Sequence, residues 1–470
     1  MIQPVVLWTD ALIFLLVGIV IGFALYTLRK PHLRAPWRYV MSTRMGSAAV
    51  VILCAYVSIG LLDSLHYRPA LDNTGDGEET HYAVEVLSVL DLLVGPLRTQ
   101  TEKTYSAPFA THLFSRETVH HPDGSQTREY PRLQYAGRDF RDPAAEAPAD
   151  ILQRCGRALA QALAVSFAVL LLLTLWQARR RRQALTTTLH AILTLRTTAP
   201  WLIIWITLSI LLLLLFLALH LATAYHVFGT DKVGEDVFYQ TLKSIRTGLV
   251  IGTLTTLVML PFAIFLGILA GYARGWIDDL IQYLYTTLSS IPGILLIAAA
   301  ILMLQVYMAN HPELFETTLE RADIRLLFLC IILGITSWTT LCRLLRGESL
   351  KLREAEYLQA ATAFGVRHSK IISRHILPNV MHIVLITVVL DFSGLVLAEA
   401  VLSYVGVGVD PTMNSWGNMI NSARLEMARE PVVWWSLLAA FLFMFTLVLA
   451  ANLFSDAVRD AFDPRLRQTR

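Results

Sequence analysis

Asp391 stands near the middle of an apolar run at about 380–403, with Ser393 two residues on. An ionisable side chain at membrane depth is costly, so by default it marks function or a dedicated partner. Asp391 either lines a path, where it favours a cationic group such as an amino terminus, or pairs with a neighbouring helix. Asp10, near the outer end of the first apolar run, reads as interfacial. His66, His81, His112, His120 and His121 raise the question of a metal. Adjacent histidines on a strand point to opposite faces, so His120 and His121 read as solvated hairpin residues and no metal site is expected. Cys54, Cys155, Cys330 and Cys342 form no C-x-x-C pair and read as small buried hydrophobes. The chain has no G-x-x-x-x-G-K-[ST] loop, no H-E-x-x-H and no G-x-S-x-G elbow. No catalytic residue and no bound cofactor are expected, and any ATP hydrolysis that drives this chain must reside on a separate polypeptide.

The chemistry that remains is recognition. Residues 356–379 read EYLQAATAFGVRHSKIISRHILPN and lie between two long apolar runs. A helix is expected at about 354–366, with Glu354 and Glu356 in its first turn, where carboxylates suit the positive end of the dipole. Gly365 can end it in the left-handed conformation. Around Ala360 and Ala361 the surface is nearly bare backbone, while Tyr357, Leu358 and Phe364 stand out. Such a helix suits a groove on another protein; a helix resting on lipid headgroups is the alternative. Ile371, Ile372 and Ile376 then lead to Pro378, which can bend the chain.

The elements that carry these residues are membrane spans. Hydrophobic residues make up 55% of the chain and charged residues 16%, against roughly a quarter charged in soluble domains. The net charge of +3 gives no reason to expect nucleic acid. Nine apolar runs approach the length of about 20 residues that a span requires, at about 5–28, 45–64, 157–176, 201–223, 247–270, 281–305, 324–345, 380–403 and 432–453. Pro261 and Pro292 make two of them uncertain. Basic loops orient the set. Arg29, Lys30, Arg34, Arg38 and Arg44, then Arg179 to Arg182, then Arg343 to Arg374, and finally Arg465, Arg467 and Arg470 all fall on one face. That face is cytoplasmic, which puts the N-terminus outside and the C-terminus inside. Basic residues follow the first run instead of preceding it, so it reads as an uncleaved helix.

The chain divides near residue 195. Residues 1–64 form two helices with a basic cytoplasmic loop, 65–155 an extracytoplasmic α+β domain, and 156–199 a third span and linker. Within 65–155, Val84, Leu87, Leu90 and Val94 suggest a helix ended by Gly95-Pro96. The stretch ETVHHPDGSQTREY suggests a hairpin turning at Pro122 to Ser125, and RDPAAEAPAD a flexible return. The stretch RRRRQALTTTLHAILTLRTTAP suggests a partly helical segment at the lipid surface. Residues 200–470 hold six spans. An outer turn contains Gly229, Thr230, Asp231, Gly234 and Asp236, and a later outer loop is anchored by Tyr404, Val407 and Trp416.

From about residue 200 onward the chain resembles permease subunits of ABC importers of the dipeptide/oligopeptide/nickel type. GTDKVGED resembles the family's GTDxxGRD, GYARGWIDD its GYxGGxxD, and the run from SWTTLCRLLRGESLKLREAEYLQAATAFG to RHILPN its coupling segment, EAA-x3-G with L-P following. EAVLSYVGVGVDPTMNSWGNM and VRDAFDPR match as well. The resemblance implies an all-α polytopic protein of the inner membrane, with a type I importer core of six spans and three extra N-terminal spans. It implies a second homologous permease, two ATPase subunits carrying ATP and Mg, a periplasmic or lipid-anchored substrate-binding protein, and membrane lipids. The substrate it implies is a peptide or peptide-like solute, with nickel chelates and antibiotic peptides as alternatives. ATPase coupling falls to Glu354, Glu356, Tyr357, Gln359, Ala360, Ala361, Phe364 and Gly365, with Arg343, Arg346, His375 and Pro378 bracing them. Asp391 and Ser393 are candidates for the path; Gly229, Thr230, Asp231, Gly234, Asp236 and Trp416 for outer-loop contacts. Glu399 matches the family's EA pair and reads as structural or gating. Gln359 stands where the family has glutamate, so Glu356 or Glu354 is expected to supply the missing coupling charge; Glu235 stands where the family has arginine, so a contact of that arginine with the binding protein does not carry over. A membrane-anchored sensor or assembly factor is the other reading.

Overall fold

The computed structural model describes residues 2–70, 81–120, 126–138, 140–197, 199–314 and 317–462. The elements begin with β1 (Ile2–Val5), α1 (Trp8–Arg29), α2 (Pro31–Ser42) and α3 (Arg44–Asp63). β2 (His66–Pro69), β3 (Leu87–Ser88), α4 (Val89–Leu93), α5 (Gly95–Thr99), β4 (Glu117–His120) and β5 (Gln126–Glu129) follow. Next come α6 (Pro143–Arg181), α7 (Leu185–Leu193), α8 (Trp201–Leu221), α9 (Val237–Ala273), α10 (Trp276–Ser290) and α11 (Gly293–Asn310). α12 (Thr318–Arg353), α13 (Glu356–Ala363) and α14 (His368–Ile371) lead through a π turn at Ile372–Ile376 into α15 (Leu377–Tyr404). α16 (Trp416–Glu426) and α17 (Trp435–Phe462) end the described chain. Among the described residues nine helices are long and apolar enough to cross a membrane.

The chain forms two compact units. The first comprises Met1–Val5, Trp37–Thr247 and Asn414–Leu453; the second Val6–Pro36, Gly248–Met413 and Phe454–Arg470.

In the first unit β1, β2 and β3 make an antiparallel sheet, with Ile2 opposite Pro69 and Val5 opposite His66. The first residues thus pair as a strand before the first span begins at Trp8. The helix expected around 84–94 is mostly absent. Leu87 and Ser88 are strand, and α4 starts only at Val89 because Ser88 and Asp91 form a capping box: Ser88 N–H donates to the Asp91 carboxylate (2.8 Å) and Asp91 N–H to the Ser88 hydroxyl (3.2 Å). α4 does end just before Gly95-Pro96, with Val94 as its C-cap, and the same pair then opens α5, since proline lacks only an N–H that the first turn leaves unused. β4 and β5 pair with Glu117 opposite Glu129; their connecting turn, with His121 and Pro122 to Ser125, lies outside the described residues. The return to the membrane is helical where a flexible segment was expected: α6 opens at Pro143 and its alanines continue the span. Ala158, Ala162 and Ser166 lie a turn apart and are buried. Ser166 meets Ser209 of α8 at 2.5 Å and accepts from Trp205 Nε1 at 2.9 Å. Small residues at that spacing let helices approach closely.

In the second unit α9 runs through Pro261 unbroken. The apolar run at 281–305 does divide: Ile291 is extended (φ −87, ψ 130), as a residue before proline must be, so α10 and α11 are separate helices. Two glycines set the contact of α9 with α12. A Cβ on Gly267 would sit 2.8 Å from the Cys342 carbonyl oxygen, and one on Gly271 2.6 Å from that of Arg346. Leu12 and Ile13 of α1 pack on the apolar cluster around Leu254, Leu326 and Leu333.

Candidate functional site

α13 is short and held at one face. Leu358 is 2% exposed and joins the core with Ile268, Leu345, Ile371 and Ile376. Asn379 Nδ2 donates to the Tyr357 hydroxyl at 3.2 Å and to the His375 carbonyl at 2.7 Å, and the Tyr357 and His375 rings lie 6.3 Å apart. The C-terminus closes as a Schellman turn. Val366 N–H donates to Ala361 O (3.1 Å), Gly365 N–H to Thr362 O (3.0 Å), and Gly365 takes φ +72. The opposite face is bare. Phe364 is 88% exposed, Tyr357 47%, and Glu356, Gln359 and Ala360 are exposed around the half-buried Ala361.

Glu354 is not in the first turn of α13, as expected, but caps the C-terminus of α12. Its carboxylate accepts from Arg274 Nη2, and its carbonyl from Gln359 Nε2 at 3.2 Å. Glu356 makes no side-chain hydrogen bond among the described residues. Arg343 and Arg346 brace α10, not α13. Arg346 grips Asp278 with two bonds of 2.6 and 2.7 Å, while Arg343 donates to Ser289 at 2.7 Å and lies over the Tyr285 ring at 4.9 Å. The Arg346 hydrogen bonds, against an opposing effect of burial, hold the Asp278 carboxyl below the usual carboxylate range. Support near α13 comes instead from the end of α9. Arg353 donates to Tyr272 O at 2.8 Å, and Tyr272 OH meets His368 Nδ1 at 2.6 Å. Pro378 does not interrupt the helix. The five-residue π turn before it leaves the helix continuous from His368 to Tyr404, with Leu377 N–H bonded to Ile372 O.

The outer turn is a second cluster. Gly229 (φ +67) and Gly234 (φ +80) shape it. Asp231 accepts from Val233 N–H, Glu235 N–H and Gln240 Nε2 at 2.9–3.0 Å. Asp236 accepts from Phe238 N–H (2.8 Å) and Tyr239 N–H (3.1 Å) and so caps α9. Its other oxygen meets His226 Nδ1 at 2.7 Å, and Glu102 Oε1 lies 3.7 Å from His226 Nε2. Burial alone would lower the His226 pKa, but hydrogen bonds and charge from Asp236 and Glu102 outweigh it and raise it to about 9. Burial likewise opposes ionised Glu102. His226 and the N–H groups of Gln134 (2.8 Å) and Tyr135 (2.9 Å) hold its carboxyl below the usual range.

A strap from the N-terminal segment, residues 102–114, closes over this turn. Glu102 N–H donates to Gly234 O (2.9 Å), Phe109 N–H to His226 O (3.1 Å) and Thr230 N–H to Ser106 O (3.1 Å). The Thr230 hydroxyl donates to Thr104 O and accepts from Ser106 N–H. A Cβ on Gly234 would fall 1.7 Å from Glu102 O. Trp435 Nε1 donates to Thr230 O at 3.0 Å, with Phe114 edge-on to its ring. Trp416 donates to Thr241 O at 3.2 Å. Of the expected outer-loop residues, Gly229, Thr230, Gly234, Asp236 and Trp416 are buried and Asp231 is half-buried; Lys232, Val233 and Glu235 remain exposed.

Asp391 and Ser393 are not brought together. Residues two apart on a helix do not share a face: Ser393 is buried and bonds to Leu390 O, while Asp391 is half-exposed. Glu399 is buried and accepts from Ser403 Oγ at 2.7 Å, a structural contact. Asp10, in the first turn of α1, is fully buried within the protein, and its neighbour Thr9 donates through its N–H to Asp323 of α12 at 3.2 Å. Tyr404 stays exposed, whereas Val407 packs inward. No cluster of metal-ligating residues occurs among the described residues. The sequence reading missed the strap, Arg274 and the Gly267/Gly271 pair; the GILAG spacing at 267–271 was the available signal for the last.

Residues 263–468 match the family "Binding-protein-dependent transport system inner membrane component". The chain is 33% identical over 244 residues to the glutathione transport system permease protein GsiD of Pectobacterium atrosepticum, covering 52% of this chain and 73% of that protein. It is 31% identical over 243 residues to the oligopeptide transport system permease protein OppC of Haemophilus influenzae, covering 52% and 71%. It is 30% identical over 246 residues to the dipeptide transport system permease protein DppC of Bacillus subtilis, again covering 52% and 71%. In this family ATP is hydrolysed by separate subunits, and the permease itself is not an enzyme. An exposed, core-anchored helix in the motif's position, on a bundle with this match, identifies the chain as a member of the inner-membrane permease family of peptide-type ABC importers, extended at its N-terminus.

Proposed function

We propose that this permease forms, with a second homologous permease, the translocation path for peptides or peptide-like solutes, and that two ATPase subunits drive it, one of them docked on α13. A substrate-binding protein delivers the solute from outside, and ATP and Mg sit on the partner subunits. In this reading the six-span core is preceded by three extra spans that enclose an outer α+β segment, with the N-terminus outside and the C-terminus cytoplasmic.

The exposed face of α13 carries the reading. Phe364 and Tyr357 present apolar surface to water beside the small Ala360 and Ala361, while Leu358 fixes the same helix in the core. A knob-and-flat face of this kind fits a groove. Because Leu358 packs on both α9 and the α14–α15 segment, a push on α13 reaches the spans through rigid helices instead of a flexible loop. Glu356 supplies the negative charge that Gln359 lacks, since Glu354 is already paired to Arg274.

Ala361→Arg places a guanidinium in the docked interface, where an unpaired buried charge costs about 3 kcal/mol or more. Co-purification of the ATPases should fall about a hundredfold, the equivalent of that cost, with the permease still monodisperse. Wild-type recovery of ATPase with the variant would refute docking on α13.

A further inference from the structure

Asp391 has no partner in the fold. It sits near the middle of α15, about 20 Å from either end at 1.5 Å per residue, and is half-buried. Among the described residues its carboxylate makes no hydrogen bond and no ion pair, and no charged group acts on it. Other acids of the same unit are engaged: Glu399 accepts from Ser403 Oγ, and Asp323 from the Thr9 N–H. An isolated carboxylate at bilayer depth is costly enough that such residues face a bundle interior or a water-filled cavity.

The same helix face offers more than one charge. Thr387, one turn earlier, is 7% exposed, and its hydroxyl has no partner among the described residues. Thr253, Thr256 and Thr336 of this unit return their hydroxyls to the carbonyl four residues back, at 2.7 to 3.0 Å. Thr387 does not. Gly394, one turn after Asp391, is exposed, and a Cβ there would meet nothing within 4 Å. Residues three and four apart are neighbours on a helix, so a free hydroxyl, a free carboxylate and an open step lie in line. The adjacent face is anchored. Phe392 lies against α9, where a Cβ on Gly252 would fall 2.5 Å from its ring, and this contact fixes the direction of the triplet.

We propose that Asp391, with Thr387 beside it, binds a primary ammonium group, the protonated amino terminus of the solute, within the translocation path. The inference rests on the reading of this chain as a peptide permease and names the group that is recognised. Peptides of varied side chains still share a terminal ammonium, whose N–H donors a carboxylate and a hydroxyl can accept. Opposite charge favours that end over the carboxylate end. The exposed neighbours Leu390, Leu397 and Val401 are apolar, so this side of α15 distinguishes the two ends through Asp391.

The test takes two readouts from the assembled transporter in proteoliposomes. Cys54→Ala and Cys155→Ala first remove the cysteines that are not buried. Gly394→Cys then reports on the site through its reaction with cationic aminoethyl and anionic sulfonatoethyl methanethiosulfonate. The cationic reagent should be favoured. Asp391→Asn should lower the ratio of the two rates about tenfold or more, because it removes a unit charge at helix-neighbour distance, and Asp391→Glu should retain the ratio. Transport of trialanine and N-acetyl-trialanine is next measured with saturating, loaded binding protein. Asp391→Asn should cut the maximal rate for the free peptide about tenfold and leave the acetylated one at its wild-type rate. No reaction at the reporter cysteine, an unchanged reagent ratio, equal loss for both peptides, or carbodiimide coupling of Asp391 to a lysine of another subunit would each overturn the proposal. A wild-type complex that transports neither peptide yet shows the reagent ratio would instead refute the peptide path and leave the ammonium site standing.

Discussion

His226→Gln removes the cation between Asp236 and Glu102 and tests the closure of the strap over the outer turn. A pKa raised from 6.5 to about 9 corresponds to about 3 kcal/mol favouring the closed state. His226 is almost fully buried, so solvent screening takes little from that figure. The folded value lies above the unfolded one; the stabilisation is therefore complete below pH 6.5 and is lost as the pH rises through about 9. Glu102 has the opposite sign: its depressed folded value contributes stability that disappears only as the pH falls into the acid range, well away from the histidine window. The amides of Glu102, Phe109 and Thr230 cross the contact directly, so their hydrogen exchange, corrected for intrinsic rate, reads the opening free energy. In wild type that energy should hold at pH 6 and decline by about 3 kcal/mol toward pH 10. In His226→Gln it should be low at pH 6 and nearly flat. Equal protection of the two proteins at pH 6, or parallel pH profiles, would refute the ion triad as the source of closure.

Three further substitutions probe the second unit. Gly271→Ala puts a methyl group 2.6 Å from the Arg346 carbonyl, a backbone atom that cannot swing away; thermal unfolding should report a loss of about 1–3 kcal/mol. Gly18→Ala, with nothing within 4 Å, should be neutral or slightly stabilising. Asp278→Asn weakens both charged hydrogen bonds from Arg346 and should cost about 2 kcal/mol at neutral pH. The wild-type advantage is present above the ordinary aspartate value and fades as the pH falls through the lower folded one. An Asp278→Asn protein with the wild-type melting curve would show that Arg346 holds α10 by packing alone.

Most spans were legible because length and apolarity largely decide them, and α13 because Gly365 can close a helix in the left-handed conformation. Where the reading failed, the deciding forces were local or distant. Locally, one capping pair at Ser88 and Asp91 overrode the apolar spacing of 84–94, and Pro292 divided a run that hydropathy joins. The burial of Asp10 was not legible, because the contact beside it, Thr9 with Asp323, joins residues far apart in the chain and no periodicity points to it. The strap was illegible for the same reason: Glu102 and His226 are more than a hundred residues apart, and each alone reads as an ordinary polar loop residue.

Those distant pairs bear on what the N-terminal segment is. An appended domain would meet its host through exposed, replaceable contacts, yet this segment supplies buried partners. In the first unit Lys243, near the start of α9, meets Asp63 at 2.6 Å and Asp91 at 3.1 Å, and Tyr239 OH donates to Asp91 at 2.8 Å. Thr230 and His226 rely on Thr104, Ser106 and Glu102. In the second unit Thr9 engages Asp323. Removing one side of a buried polar contact leaves the other desolvated, a cost of about 1–3 kcal/mol for each neutral group and more for a charge. Summed over these contacts the loss is comparable with the whole stability of a domain. In the first unit the outer turn is therefore built around this segment, and removing the segment would strip Thr230 and His226 of buried partners.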